Sequence, residues 1–132
     1  MLKLDQRNDL TMLLARVFMS SLFVLYGYFK ITAFAGTTGY MAKMGLPVPP
    51  VAAAIAVILE LVGGLMILLG YQTRLVALIL AVYTLIAAFI AHRNFGDMGQ
   101  LTHFMKNMAI VGGFLALAAS GAGAYSLDAR KS

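Results

Sequence analysis

One acid stands where chemistry is hard to avoid. Glu60 sits at the middle of an apolar run from Val51 to Leu69, and its neighbours at helical spacing are Ala53, Ala56, Val57, Gly63, Gly64 and Ile67. If that run crosses a bilayer, an ionised side chain at its centre costs about 2.5 to 3.5 kcal/mol on insertion scales, so a partner must compensate it. The small residues around it let another helix approach closely, so this face is expected to pack on protein. The first apolar run carries the complement. Arg16, Ser20, Phe23, Gly27 and Lys30 fall on one side of a helical wheel and make a cationic stripe. The economical expectation turns that stripe toward Glu60, as a buried Arg16 to Glu60 pair or as a carboxylate shared with Lys30. Such a group is read either as glue that fixes helix register or as the lining of a small intramembrane polar cavity.

A second polar group is expected around the fourth apolar run. Lys106 and Asn107 open it, His103 precedes them by one turn, and His92 closes the third run on the same side. The histidines read as interfacial side chains in contact with water; a haem held between them has little support. No third histidine or carboxylate stands at ligand spacing, so no metal site is expected. Tyr26 and Tyr83 lie deeper than the other tyrosines. Either is able to donate a hydrogen bond to a ligand carbonyl, although packing is the plainer role.

These side chains need elements to carry them. Of 132 residues, 61% are hydrophobic and 11% are charged, against about 45 to 50% and about 25% in ordinary soluble domains. A sphere this small has too few polar residues to cover itself, so lipid is the expected solvent. Four runs have the composition of spanning helices, about 10–29, 51–69, 75–91 and 105–119. None alternates with period two, which excludes a barrel. Pro47, Pro49 and Pro50 enter the second run, and Gly70 follows its end. The short turn through Gln72, Thr73 and Arg74 makes the second and third helices antiparallel neighbours. Between the first two runs, Phe34, Met41 and Met44 share one face of a short interfacial helix, opposed by Gly36 and Gly39. The fold class is an all-α integral membrane four-helix bundle in a single domain.

The formal net charge of +5 comes from bases spread along the chain. No basic cluster with aromatic platforms exists, so nucleic acid is not an expected partner; anionic lipid head groups are. Four spans bring both termini to one side. Lys3, Arg7, Arg74, Arg130 and Lys131 collect there, against Lys30, Lys43, Arg93 and Lys106 on the other. The narrow excess assigns the termini to the cytoplasm. The first run is too long for a signal-peptide core and carries Arg16 inside it, so it is expected to remain in the protein. The chain has no cysteine, hence no disulfide, zinc-thiolate or iron-sulfur chemistry of its own.

The ordered set of Gly27-Tyr28-Phe29-Lys30, Glu60-Leu61-Val62-Gly63-Gly64, Gly70 with Thr73-Arg74, Phe104-Met105-Lys106-Asn107 and the stretch from Gly121 to Asp128 resembles the DoxX family of small bacterial inner-membrane proteins over nearly the whole chain. The resemblance implies a multi-pass protein of the inner (plasma) membrane. It also implies a loose association with redox biology, since some relatives are subunits of thiosulfate:quinone oxidoreductase. Residue by residue it carries over to Lys30, Glu60, Arg74, Lys106 and Asn107. The leading functional expectation is a redox-associated component, not catalytic alone, that binds a quinone-like molecule between its helices. Such a component would work with redox partner proteins. A small homo-oligomeric transport or channel protein and a non-catalytic assembly subunit are the alternatives. A strict monomer would count against a pore, and full function without the buried charges would leave only the assembly role.

Overall fold

The computed structural model describes residues 4–92 and 94–130, and all regular structure among them is helical. Lys3, Arg93 and Lys131, three of the bases that bear on orientation, lie outside the described residues, as does the side chain of Arg7. The elements are α1 (Leu4–Thr32), α2 (Phe34–Lys43), a rod made of α3 (Pro49–Val57), a π-turn (Ile58–Val62) and α4 (Gly63–Leu69), then α5 (Thr73–Ala91), α6 (Met98–Ser120) and the short α7 (Leu127–Arg130). Four helical stretches are long and apolar enough to cross a membrane, at Asn8–Thr32, Pro49–Leu69, Thr73–Ala91 and Met98–Ser120. The last begins well before its apolar run, because Asp97 caps it by accepting the Gly99 amide at 2.9 Å.

α1, the second span and α5 each bury one stripe and show large apolar side chains elsewhere. On α1 the buried stripe is Arg16, Ser20, Phe23 and Gly27, with Lys30 half-buried at its end. Ile58, Val62, Leu65 and Leu69 form the outward row of the second span, and Leu75, Leu78, Ile79, Val82 and Ile86 that of α5. Exposed apolar rows of this length suit hydrocarbon rather than water. The main core joins Phe23, Ile67, Val76, Ala77, Leu80, Phe114 and Leu117, with Phe23 and Phe114 edge to face at 5.3 Å.

Close approach is set by glycine. A Cβ on Gly27 would lie 2.7 Å from the Leu61 backbone nitrogen, and one on Gly64 would crowd Val24 and Phe23 at 3.0 to 3.1 Å. α1 and the second span therefore meet backbone to backbone, as small residues in membrane helices permit. The second span ends in a Schellman turn: Gly70 is left-handed at φ 70°, its amide bonds Ile67 O, and the Tyr71 amide bonds Met66 O. α2 forms despite Gly36 and Gly39, because Met41 is buried against Ala53 and Ala56 of α3. Tertiary packing overrides the weak local preference.

The glycines separate two effects. Gly27→Ala is expected to lower the melting temperature in detergent, since the new methyl meets fixed backbone. Gly39→Ala, with nothing within 4 Å, is expected to raise it slightly, by the helix-propensity gain of up to about 1 kcal/mol. Equal shifts in the two variants would contradict the close α1 contact.

Candidate functional site

Three helices deliver one polar group to the middle of the bundle. Glu60, 6% exposed, lies at the centre of the π-turn. Its Oε1 accepts from Lys30 Nζ at 2.7 Å, and its Oε2 accepts from the Tyr83 hydroxyl. Both carboxylate oxygens thus have a donor, which is what a carboxylate in this setting requires. Lys30 spends one of its three N–H donors here and remains partly open, its side chain 29% exposed. The π-turn adds a residue to the helix and loosens its ladder locally, a feature often found where helices carry functional side chains.

Arg16 does not join this group, against the first of the two pairings expected from sequence. The reason is register. Lys30 is opposite Glu60, and Arg16 lies fourteen residues earlier on the same helix, about 21 Å away along its axis. Instead the fully buried guanidinium caps the second span. Nη1 donates to Leu68 O at 2.9 Å and to Ile67 O at 3.3 Å, and Nη2 donates to Tyr125 O. Its Nε is left without a partner.

Two further side chains cap helix ends at this pole. Asp128 accepts the Gln72 amide at 2.7 Å and the Thr73 amide at 2.9 Å, closing the N-terminus of α5. Arg74 donates to Ala119 O at 2.6 Å, Ala118 O at 3.1 Å and Ser120 O at 3.3 Å, closing the C-terminus of α6. Asp9 accepts the Ala124 amide at 3.1 Å, so the start of α1 and the segment before α7 meet here. A cleft of about 520 Å³ lies among Gln72, Arg74, Ser120, Gly121 and Asp128. These groups satisfy the free carbonyls and amides of helix termini.

The remaining sequence candidates are dispersed. Ser20 is buried but bonds back to Val17 O at 3.1 Å within its own helix. Tyr26 is half exposed and rests edge-on against Phe29. Lys106 is exposed and Asn107 half-buried, and neither bonds to Glu60. His92 and His103 stack on each other with centroids 5.0 Å apart, and His92 Nδ1 meets Gln100 Oε1 at 3.1 Å. Among the described residues no group of three or more metal-binding side chains assembles.

For Tyr83 the residue pattern favours packing, yet a signal for its true partner is there. Glu60 lies ten residues before Gly70 and Tyr83 ten residues after Thr73. Antiparallel helices joined by so short a turn place the two at equal depth.

A helical bundle with four candidate spans and an intramembrane ion pair defines the class as a small polytopic membrane protein. Residues 11–93 match the DoxX family model, and the chain belongs to the DoxX family. It is 48% identical to Inner membrane protein YqjF of Escherichia coli (strain K12) over 121 residues, 92% of each chain. It is 40% identical to Inner membrane protein YphA of the same strain over 124 residues, 90% of this chain and 89% of that one. A third relative, named "Putative oxidoreductase CatD" in Bacillus subtilis (strain 168), is 33% identical over 87 residues, 66% of this chain and 63% of its own. No solved structure matches the chain.

The two caps involving Arg16 and Asp128 differ in what they leave behind. Arg16→Met strands three carbonyls, one of them buried and two partly so, and is expected to destabilise by about 3 to 5 kcal/mol. Asp128→Ala removes one helix cap and is expected to cost about 1 to 2 kcal/mol. Thermal unfolding of purified protein in one detergent ranks them, and the reverse order would contradict the capping role of Arg16.

Proposed function

We propose that this DoxX-family protein acts in the bacterial inner membrane as a redox-associated component that binds a quinone-like amphiphile beside Lys30, Glu60 and Tyr83. The observation that carries the reading is the meeting of an ammonium, a carboxylate and a phenol from three different helices at mid-bundle. Intramembrane ionisable groups so placed generally mark a ligand or proton site. The donor set fits a quinone head group. Lys30 keeps two N–H donors for a carbonyl oxygen, and the carboxylate of Glu60 is a proton acceptor held against a phenol. A bound quinone supplies two-electron redox chemistry. The side chains orient the head group, and Glu60 holds or releases a proton at Oε1 or Oε2. With no cysteine in the chain, the electrons come from a partner protein. The name of the CatD relative is in keeping with a redox setting. On this reading the pole with both termini faces the cytoplasm.

A homo-oligomer is a second reading, favoured by α6. Thr102, Met105, Ala109, Gly112, Ala116 and Ala119 recur at spacings of three and four and are all exposed, on the least buried of the four spans. Small residues in such a row allow close helix pairing. Because the chain lacks cysteine, Gly112→Cys is a clean probe: oxidation in membranes is expected to give a covalent dimer on a gel, and a purely monomeric product would remove this reading.

The main proposal is tested in lipid nanodiscs with decylubiquinone. A ligand at 100 times its Kd stabilises by about 2.7 kcal/mol, so the melting temperature of the wild-type protein is expected to rise by several degrees. Glu60→Gln is expected to lose the rise. The Lys30→Met, Glu60→Gln double variant, which strands no charge, is expected to stay folded and also to show none. An unresponsive wild-type protein, or a rise that persists in both variants, would overturn the assignment.

A further inference from the structure

The connection between α2 and α3 and the far half of α5 line an open, outward-facing groove of about 400 Å³. All six lining residues are apolar: Met44, Leu46, Leu85, Ile86, Phe89 and Ile90. Its volume lies within the range of roughly 300 to 1,000 Å³ of small-molecule sites. Two features join it to the polar group. Leu46 packs on the same buried cluster of Met41, Ala53 and Ala56 that Tyr83 touches. Ile86 and Ile90 follow Tyr83 by three and seven residues, the spacing of one helix face. The apolar walls therefore begin about one turn along α5 from Tyr83, whose hydroxyl meets Glu60.

The wall formed by the connection is already ordered. The Gly45 amide bonds Ala42 O at 3.0 Å and the Leu46 amide bonds Met41 O at 3.2 Å, while Pro47 and Pro49 restrict the backbone that leads into α3. A chain entering the cleft meets a preformed surface, and little ordering entropy opposes it.

We propose that this cleft holds the hydrocarbon tail of the amphiphile whose head group meets Lys30, Glu60 and Tyr83. The inference rests on the head-group site at those three residues and narrows the ligand to molecules with a flexible apolar chain. A polar head at mid-span with an apolar trough one turn away is complementary to such a molecule. A phospholipid acyl chain is the competing occupant, and the test below separates the two.

The test uses two probes with one head group, ubiquinone-0 without a tail and decylubiquinone with one, on full-length protein in nanodiscs of one fixed composition. Binding is read by thermal shift and by competition with a photoreactive decyl analogue. Ile86→Trp fills the cleft and is expected to weaken decylubiquinone binding at least tenfold, leaving ubiquinone-0 within twofold. Leu78→Trp, on the same helix outside the cleft, is expected to change neither, which controls for partition of the tail into lipid. The photoreactive analogue is expected to label 85–90. Unchanged decylubiquinone binding in Ile86→Trp would overturn the tail site while leaving the head site standing. Labelling of 85–90 by a photoreactive phospholipid that decylubiquinone does not displace would overturn it as well. Loss of the head site reads out separately: ubiquinone-0 binding that survives Glu60→Gln, or no binding of either probe, removes the head assignment and the tail assignment with it.

Discussion

A carboxylate set among lipid-facing helices decides how this bundle goes together. Glu60 needs donors, and no donor on its own helix supplies them; Lys30 on α1 and Tyr83 on α5 do. Two neighbouring helices are thereby fixed against the second span in rotation and in height. Lys30 reaches its partner only if α1 lies close, and Gly27 against the Leu61 backbone provides that proximity. The π-turn and the glycines after it belong to the same constraint, because they shape the one stretch of helix that must accept a neighbour on two sides.

The two cations on the inward stripe of α1 have different tasks, and their chemistry suits each. Lys30 is a compact charge that pairs with a single oxygen and keeps further donors free. Arg16 is a planar fork with several N–H groups, and it gathers carbonyls from the end of the second span and from Tyr125. Helix ends leave polar backbone groups without partners inside their own helix. At the pole with both termini, Arg16, Arg74 and Asp128 each serve the end of a helix other than their own. The site at mid-bundle and the caps at the pole are thus separate polar systems, joined by α1, the second span and α5.

Much of this architecture is legible in the residues. Apolar length marks the spans, and the wheel of α1 correctly turns Arg16, Ser20, Phe23 and Gly27 inward. Of two cations on that face, the sequence pattern leaves open which one meets Glu60. Depth decides it, and depth depends on how far the antiparallel helices slide, which is set by the glycine contacts rather than by periodicity. Tyr83 is within reach of a simple count from the turn at Gly70. The π-turn carries no compositional mark in Ile-Leu-Glu-Leu-Val. The caps by Arg74 and Asp128 join residues more than forty positions apart, so nothing local announces them.

The stitching at that pole has an order in time. Arg16 enters the membrane early in synthesis, but one of the three carbonyls it holds belongs to Tyr125, and the amides that begin α5 wait for Asp128. The bundle is therefore latched late: the guanidinium stays incompletely solvated until the segment around Tyr125 folds back onto the end of the second span and locks it.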